Sequence, residues 1–193
     1  MLTDREVLEL LVSTGAILDG HFLLSSGKHA ARYIQCARLF QRPPLAHRVC
    51  VALAEKARNL GKIDAVIGPA LGGIILAYEL ARVLGVRGMF TEREGGKMSL
   101  RRGFEIHRGE RVLIAEDVVT TGRSSLEAAD VLTEQEAEIV GIACVVDRRV
   151  AGEVMSLPII SATKMKIKLY EPGDCPLCRR GIPLVKPGSR SQR

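Results

Sequence analysis

The sequence contains no tryptophan, and its three tyrosines and four phenylalanines are few for a chain of 193 residues. Proteins that bind single-stranded nucleic acid commonly stack the bases on aromatic side chains, so this scarcity argues against that class. The formal net charge of +6 is mildly basic, and such a surplus suits phosphate-bearing ligands as well as nucleic acid. We therefore expect a small phosphate-bearing molecule as the partner, and no nucleic acid.

Long apolar runs and a signal sequence are also absent. No stretch approaches the roughly 20 apolar residues that a membrane-spanning helix needs. The first residues, Met-Leu-Thr-Asp-Arg-Glu, lack the basic and then apolar pattern of a signal peptide. Five cysteines, an odd number, fit a reducing compartment. These features predict a cytoplasmic protein that does not contact a membrane.

The first 60 residues predict two helices and two short strands. Thr3 and Glu6 have the spacing of a capping box at the start of a helix. Pro43 marks the start of a second helix, because proline is favoured in the first helical turn. Between these helices, apolar runs at residues 22–24 and 33–34 flank a turn-rich interval and predict two strands.

From residue 63 onward, short apolar runs alternate with helical segments. Strands are predicted at residues 63–67, 111–115 and 140–146, and helices at residues 74–84 and about 126–136. Continuously apolar strands are typical of a parallel sheet that is covered by helices on both faces. The sequence therefore predicts an α/β fold with a central parallel β-sheet flanked by helices.

A polar segment at residues 91–111 interrupts this alternation. It contains Glu92, Arg93, Glu94 and Lys97, and it is too polar for the core. A long polar loop inside an α/β domain is usually a lid or a binding loop. An exposed β-hairpin is the alternative.

Two strand-to-helix turns carry the candidate chemistry. Ligands of open parallel sheets bind outside the carboxyl ends of the strands. At that edge, Glu116 and Asp117 precede a run of hydroxyl residues and a glycine that leads into a helix. Free backbone N–H groups at a helix start favour a phosphate, and carboxylates accept hydrogen bonds from a diol, so the turn suits a ribose 5-phosphate. The alternative is an acidic pair that only complements the helix dipole.

The second turn, at residues 68–73, is Gly-Pro-Ala-Leu-Gly-Gly and could hold another phosphate group. A tight strand-to-helix turn with no ligand is the alternative. The turn lacks the Lys-Ser/Thr ending of a nucleotide-binding P-loop and the spacing of a dinucleotide-binding fingerprint. Kinase-like and NAD-dependent functions are therefore disfavoured.

Residues 112–124, Val-Leu-Ile-Ala-Glu-Asp-Val-Val-Thr-Thr-Gly-Arg-Ser, resemble the phosphoribosyl-pyrophosphate signature of the type I phosphoribosyltransferases. Residues 22–29 and 33–35 resemble the N-terminal hood of the members that act on orotate. The resemblance implies one domain over residues 1–193, with a hood of about residues 1–40 plus the C-terminal segment and a core of about residues 44–170.

The activity that the resemblance implies is transfer of a phosphoribosyl group from 5-phosphoribosyl 1-pyrophosphate to orotate. The products are orotidine 5′-monophosphate and pyrophosphate, in pyrimidine synthesis. The implied cofactor is Mg²⁺, bound through the substrate pyrophosphate with no direct protein ligand. The implied assembly is a homodimer in which a mobile loop, the polar segment that contains Arg93 and Lys97, reaches the site of the partner subunit.

The same resemblance assigns the residues of the site. Asp117 and Lys97 are the implied catalytic residues. The implied orotate-binding residues are Ser26, Lys28, Thr120 and Arg148. The implied phosphoribosyl-pyrophosphate-binding residues are Gly72, Gly73, Arg93, Lys97, Glu116, Asp117, Val118, Val119, Thr120, Thr121, Gly122, Arg123 and Ser124.

Two other functions share this signature, because it recognises the ribose donor and not the base. One is a phosphoribosyltransferase that acts on a purine or on uracil. The other is a non-catalytic regulator that senses phosphoribosyl pyrophosphate, which would need a DNA-binding domain. We expect no such domain, because the segment before residue 22 is short.

Cys175 and Cys178 have the spacing of half a structural zinc site, which needs about four ligands. The four histidines are scattered along the sequence and offer no second pair at a suitable spacing. Three interpretations stay open: an ordinary turn, a zinc site completed by a partner subunit, and a redox pair. The other three cysteines lie in apolar surroundings and are predicted to be buried in the core. They are Cys36, Cys50 and Cys144.

Overall fold

The computed structural model describes residues 2–149 and 155–187, and its secondary structure follows the predicted order of elements. The helices are α1 (Asp4–Ser13), α2 (Ala37–Phe40), α3 (Pro43–Ala57), α4 (Gly72–Leu84), α5 (Arg123–Thr133) and α6 (Pro176–Arg179). The strands are β1 (Ile17–Leu23), β2 (His29–Ile34), β3 (Ala65–Pro69), β4 (Arg87–Glu94), β5 (Lys97–Leu100), β6 (Arg111–Val119), β7 (Glu138–Asp147), β8 (Ile159–Lys164) and β9 (Leu169–Tyr170).

A six-stranded sheet with the order β5-β4-β3-β6-β7-β8 forms the centre of the fold. Every neighbouring pair in it is parallel except β4 and β5, which form an antiparallel edge. The predicted α/β class with a central, mostly parallel sheet is therefore confirmed. In the part of the chain that the structure describes, no helix has the length and apolar character needed to cross a membrane.

Helices cover both faces of this sheet, and successive residues of each strand enter two different cores. Val66 of β3 and Leu113 of β6 pack with α3 and α4 on one face. Ile67 and Ile114 pack with α5 on the other face. Because both faces are buried, the strands read as continuous apolar runs in the sequence.

The first helix begins as its capping box predicts. The Thr3 backbone N–H donates to Glu6 Oε2 at 2.8 Å, and the Glu6 N–H donates to Thr3 Oγ1 at 3.3 Å. These two bonds satisfy backbone donors that an α-helix leaves unpaired at its N-terminus. The helix predicted from Pro43 is also confirmed.

A second, three-stranded sheet with the order β1-β2-β9, here called the hood sheet, joins the two ends of the described chain. Its strands are antiparallel, with Leu23 opposite His29 and Ala30 opposite Leu169. The C-terminal segment continues along β1, where Val185 forms a bridge with Phe22. The hood sheet thus depends on residues far apart in the sequence.

The polar segment expected to be a lid or binding loop forms a β-hairpin over β4 and β5, which was the alternative interpretation. Gly95 and Gly96 make its turn with φ values of 56° and 85°. Positive φ at both turn residues matches the twist of the flanking strands, so this glycine pair favours a hairpin. Thr91 and Met98 are buried, so part of the segment belongs to the core after all.

Candidate active site

The candidate site lies where the chain reverses direction across the central sheet. After β3 the chain adds β4 on one side, and β6 then pairs with β3 on the other side. A crevice forms at such a reversal, outside the carboxyl ends of the two central strands. Both candidate turns, at residues 68–73 and 116–125, lie at this edge.

Strand β6 is longer than predicted and includes the two acids. It continues to Val119, which pairs with Asp147 at the end of β7. Glu116 accepts a hydrogen bond from Ser125 Oγ at 3.4 Å, and Asp117 Oδ1 accepts one from the Val118 N–H at 2.9 Å. No ion pair among the described residues involves either carboxylate, so no cation in this part of the chain neutralises them.

The environment of these acids favours their protonated forms. Burial raises the pKa of Glu116 from its ordinary 4.5 to about 8, and the charge of Asp117 adds to that rise. Burial raises the pKa of Asp117 as well. Two adjacent, half-buried carboxylates repel each other when both are charged, so the pair retains a proton near neutral pH.

We predict that this retained proton makes the ligand-free protein less stable as the pH rises. Between pH 4.5 and about 8 the folded state keeps a proton on Glu116 that the unfolded state has lost, so the free energy of unfolding falls. The slope is at most about 1.4 kcal/mol per pH unit. In thermal unfolding between pH 6 and pH 9, Glu116→Gln should lose less stability than wild type. Glu134→Gln, an exposed control, should follow the wild-type curve, and parallel curves for all three proteins would contradict the proton assignment.

The turn after β6 presents backbone donors at the start of α5. Gly122 is the N-cap residue, with φ of 71°, and no side chain caps the helix. Thr120 and Thr121 are exposed, and the Arg123 N–H donates only a long bond, 3.4 Å, to Thr121 Oγ1. Uncapped N–H groups and the positive end of the helix dipole attract a phosphate. The Arg123 side chain points along the helix instead, to Glu127 at 2.8 Å.

The turn at residues 68–73 lies against the acidic strand, and its glycines allow this approach. A Cβ on Gly68 would lie 2.2 Å from the Gly73 carbonyl oxygen, and one on Gly73 would lie 2.4 Å from the Ala115 carbonyl oxygen. A Cβ on Gly72 would lie 2.6 Å from Asp117 Oδ1. Close packing therefore explains Gly68 and Gly73, whereas Gly72 leaves space beside a candidate catalytic side chain.

Arg148 follows β7 and lies at the same edge of the sheet. Its backbone N–H donates to the Val119 carbonyl oxygen at 2.8 Å. Its side-chain Nε is buried and has no hydrogen-bond partner among the described residues, and burial lowers the pKa of its guanidinium. The neighbouring Arg149 differs, because it forms an ion pair with Asp147 at 2.9 Å. A desolvated guanidinium with an unsatisfied donor is suited to bind an anion.

Tyr33 lies near Asp117 and Arg148, although the sequence did not place it among the predicted site residues. Burial and the charge of Asp117 raise the pKa of its phenol, whereas Arg148 lowers it, so all three side chains share one electrostatic environment. Tyr33 lies on β2, so a residue of the hood sheet lies beside the crevice. The resemblance of residues 33–35 to the hood of orotate-specific enzymes was the available signal.

Other predicted site residues lie apart from this crevice in the single chain. The Lys28 ammonium pairs with Glu171 at 2.7 Å, and Ser26 Oγ accepts a long bond from the Lys28 N–H. Arg93 pairs with Glu127, and Lys97 lies exposed on the hairpin. No described contact joins these four residues to Asp117 or Arg148, so their roles stay predictions.

Cys175 and Cys178 lie at the hood sheet, and the expectation that no histidine pair accompanies them is wrong. His21 and His29 face them in the same chain. The strands β1 and β2 bring together two histidines that are eight positions apart, which the sequence spacing did not reveal. Cys36, Cys50 and Cys144 are fully buried, as predicted.

Comparison with known proteins identifies the family. A family model for the phosphoribosyl transferase domain matches residues 37–166. The orotate phosphoribosyltransferase of Caldanaerobacter subterraneus subsp. tengcongensis is 52% identical over 189 residues, which cover 98% of this chain and 99% of that protein. This chain belongs to the orotate phosphoribosyltransferase family.

Two further members of the orotate phosphoribosyltransferase family support this placement. The enzyme of that name from Caldicellulosiruptor bescii is 49% identical over 185 residues, covering 96% of this chain and 97% of that protein. The crystal structure of orotate phosphoribosyltransferase from Aeropyrum pernix superposes with a TM-score of 0.71 at 29% identity, covering 82% of this chain and 93% of that one. The resemblance stated for residues 112–124 is thus confirmed.

Proposed function

We propose that this protein transfers the phosphoribosyl group of 5-phosphoribosyl 1-pyrophosphate to N1 of orotate, in the synthesis of pyrimidine nucleotides. The observation that carries the proposal is the meeting, at one sheet edge, of an uncapped helix start, two half-buried acids and Arg148, whose Nε has no hydrogen-bond partner among the described residues. The first suits a phosphate, the second a ribose diol and the third the orotate carboxylate. The five unpaired cysteines support a reducing, cytoplasmic location.

Each turn then holds one part of the sugar substrate. The backbone N–H groups of residues 120–124 bind the 5-phosphate, and Glu116 and Asp117 accept hydrogen bonds from the ribose hydroxyls. The backbone at Gly72 and Gly73 faces the pyrophosphate, because these residues begin α4 without a side-chain cap. The reacting sugar carbon then lies between the acids and the second turn.

The reaction separates charge between the sugar, which becomes positive, and the departing pyrophosphate, which becomes more negative. The site stabilises both charges. As the bond from the sugar carbon to pyrophosphate breaks, the ribose gains oxocarbenium character. Orotate N1 forms the new bond, and its proton passes to an oxygen of the departing pyrophosphate. A carboxylate of the Glu116–Asp117 pair stabilises the positive sugar. Orotate enters as an anion and stacks near Tyr33, with its carboxylate on Arg148.

Mg²⁺ would enter with the substrate pyrophosphate. The pyrophosphate would supply the oxygen ligands that Mg²⁺ prefers, and the Asp117 carboxylate beside Gly72 would add negative charge next to the ion. The residues present therefore fit a magnesium–pyrophosphate complex without a dedicated protein cage. When bound, the ion neutralises charge that develops on the departing pyrophosphate.

We further propose a homodimer in which the β4–β5 hairpin of one subunit serves the site of the other. Leu71, Ile75 and Tyr78 are 86%, 50% and 68% exposed, and their spacing forms an apolar stripe along α4, beside the pyrophosphate turn. An exposed apolar stripe of this kind favours association with another protein surface. Lys97 of the partner subunit would then reach the pyrophosphate, which it does not do within one chain.

Mixing two inactive variants tests this shared site. Lys97→Ala and Arg148→Ala should each be nearly inactive alone. After co-expression, half of the dimers carry one of each chain and contain one intact site of two, so activity should return to about one quarter of wild type. No recovery, in dimers shown by mass spectrometry to be mixed, would place Lys97 and Arg148 of each site on one chain.

A panel of bases tests the proposed activity. We expect pyrophosphate release from 5-phosphoribosyl 1-pyrophosphate with orotate, and none with adenine, guanine or uracil. Release with a purine or with uracil instead would assign another phosphoribosyltransferase activity. Binding of the sugar substrate with no release for any base would indicate a sensor.

A further inference from the structure

The strongest unassigned feature is a cluster of two histidines and two cysteines at the hood sheet. His21 lies on β1, His29 begins β2, Cys175 precedes α6, and Cys178 lies within it. One ring nitrogen or sulfur from each residue lies within 4.8 Å of all the others. His21, His29 and Cys175 are nearly fully buried, at 2%, 5% and 1% exposure, and Cys178 is exposed.

We propose that this Cys₂His₂ cluster binds one structural Zn²⁺ ion. The cluster shares no described contact with the candidate active site, so the proposal does not depend on the transferase function. Two cysteines and two histidines are a common ligand set of structural zinc sites, and the Cys-x-x-Cys spacing is typical of them. All four ligands come from one chain, so no partner subunit is needed.

The distances within the cluster match a tetrahedral site. A zinc ion with bonds of about 2.0 Å to nitrogen and about 2.3 Å to sulfur holds a nitrogen and a sulfur about 3.6 Å apart. His21 Nε2 lies 3.5 Å from Cys175 Sγ and 3.8 Å from Cys178 Sγ, and His29 Nδ1 lies 3.4 Å from Cys178 Sγ. The two ring nitrogens are 2.9 Å apart and need only a slight separation to admit the ion.

The surroundings of His21 prepare it for metal binding. Its Nδ1 lies 2.8 Å from the Ile182 carbonyl oxygen, which can only accept a hydrogen bond. The proton therefore resides on Nδ1, and Nε2 presents its lone pair to the cluster. A backbone carbonyl that fixes the tautomer of a histidine ligand is a frequent second contact in metal sites.

The cysteine turn has a backbone that directs both sulfurs to one side. The Arg179 N–H donates to the Cys175 carbonyl oxygen at 3.2 Å, and the Gly181 N–H donates to that of Cys178 at 2.9 Å. Gly181 adopts φ of 66°, which glycine allows without strain. On binding, both thiols lose their protons, and the two thiolates balance the charge of Zn²⁺.

The ion would connect three segments of the hood sheet. Strand β9 has only two residues, and the C-terminal segment is otherwise joined to β1 by backbone bonds between Val185 and both His21 and Leu23. Small structural units frequently depend on a metal ion for stability. The zinc ion would thus attach the C-terminal segment to β1 and β2.

Metal analysis of untagged protein, purified without chelators, tests the proposal. We expect about one zinc per chain in wild type and in Cys50→Ala, a control at a buried cysteine outside the cluster. The double variant Cys175→Ser/Cys178→Ser should lose at least nine tenths of its zinc. His107→Asn, which changes an exposed histidine outside the cluster, should lose none. Zinc retained in the double variant would overturn the proposal.

X-ray absorption at the zinc edge tests the ligand set on wild-type protein, so it does not depend on how a variant folds. The expected shell has two nitrogens at about 2.0 Å and two sulfurs at about 2.3 Å. Folded wild-type protein that binds no zinc after equilibration with the ion would refute the site. A disulfide bond between Cys175 and Cys178 in freshly purified protein would also refute the site and would favour the redox pair. Mass spectrometry would detect it as a mass lower by two hydrogens.

Discussion

Asp117→Asn is expected to lower kcat by about 10²- to 10³-fold, the range found when one group that stabilises transition-state charge is removed. The substitution keeps the size of the side chain and removes a negative charge that, in the proposed mechanism, stabilises the positive sugar. Because the charge acts mainly as the bond to pyrophosphate breaks, KM for the sugar substrate should change much less than kcat. Steady-state kinetics of orotate-dependent pyrophosphate release measure both constants.

Asp19→Asn is the matched control for this prediction. Asp19 is exposed on β1 and pairs with Arg32 at 2.7 Å, an ion pair that contributes little in water. Its kcat should equal that of wild type. An Asp117→Asn enzyme with unchanged turnover would exclude this carboxylate from the mechanism.

Gly72→Ala is expected to lower kcat/KM for the sugar substrate by about 10²-fold, since a displacement of about 1 Å at a reacting group has that effect. The new methyl group would lie 2.6 Å from Asp117 Oδ1, so either the carboxylate or the turn must move. Unlike a buried core substitution, this one acts directly between the two turns that hold the sugar and the pyrophosphate. Kinetics at varied sugar substrate, with circular dichroism to confirm folding, measure the effect.

Gly173→Ala controls for the loss of a glycine elsewhere. Nothing lies within 4 Å of a Cβ built on Gly173, so this variant should keep wild-type kinetics. If folded Gly72→Ala is equally active, the two turns do not jointly position the substrate.

The central sheet could be predicted because the burial of each strand leaves a recognisable pattern within that strand's own sequence. Strands β3 and β7 are buried on both faces, so each appears as an apolar run, and the glycines and polar residues that follow mark the turns. The extension of β6 to Val119 could not be predicted, because pairing with β7 overrides the polar character of Glu116 and Asp117. Strand pairing depends on a neighbour that the sequence pattern does not specify.

The site was only partly predictable, because the contacts of a single side chain depend on which residues the fold brings close to it. Arg148 and Arg149 are adjacent arginines, yet only Arg149 pairs with Asp147, and the Nε of Arg148 has no hydrogen-bond partner in the described part of the chain. His21 approaches Cys175 across 154 positions of the chain. Such long-range contacts follow from the fold, whereas the capping box of Thr3 and Glu6 lies within one helical turn and was visible directly.

The polarity of residues 91–111 predicted an exposed element, and the β4–β5 hairpin was the alternative of the two structures that it allowed. Its alternating buried and exposed residues and the Gly95-Gly96 turn are hairpin features that the charges of residues 92–94 obscured. The hairpin still presents Lys97 at its exposed end, where a second subunit could use it. A lid and a hairpin are therefore compatible interpretations of the same segment.

A crystal structure of the protein with 5-phosphoribosyl 1-pyrophosphate and Mg²⁺ tests the account most directly. We predict the 5-phosphate on the backbone N–H groups of residues 120–124, with both ribose hydroxyls bonded to Glu116 and Asp117. Density for the sugar phosphate at any other surface, with the β6–α5 turn empty, would contradict the account.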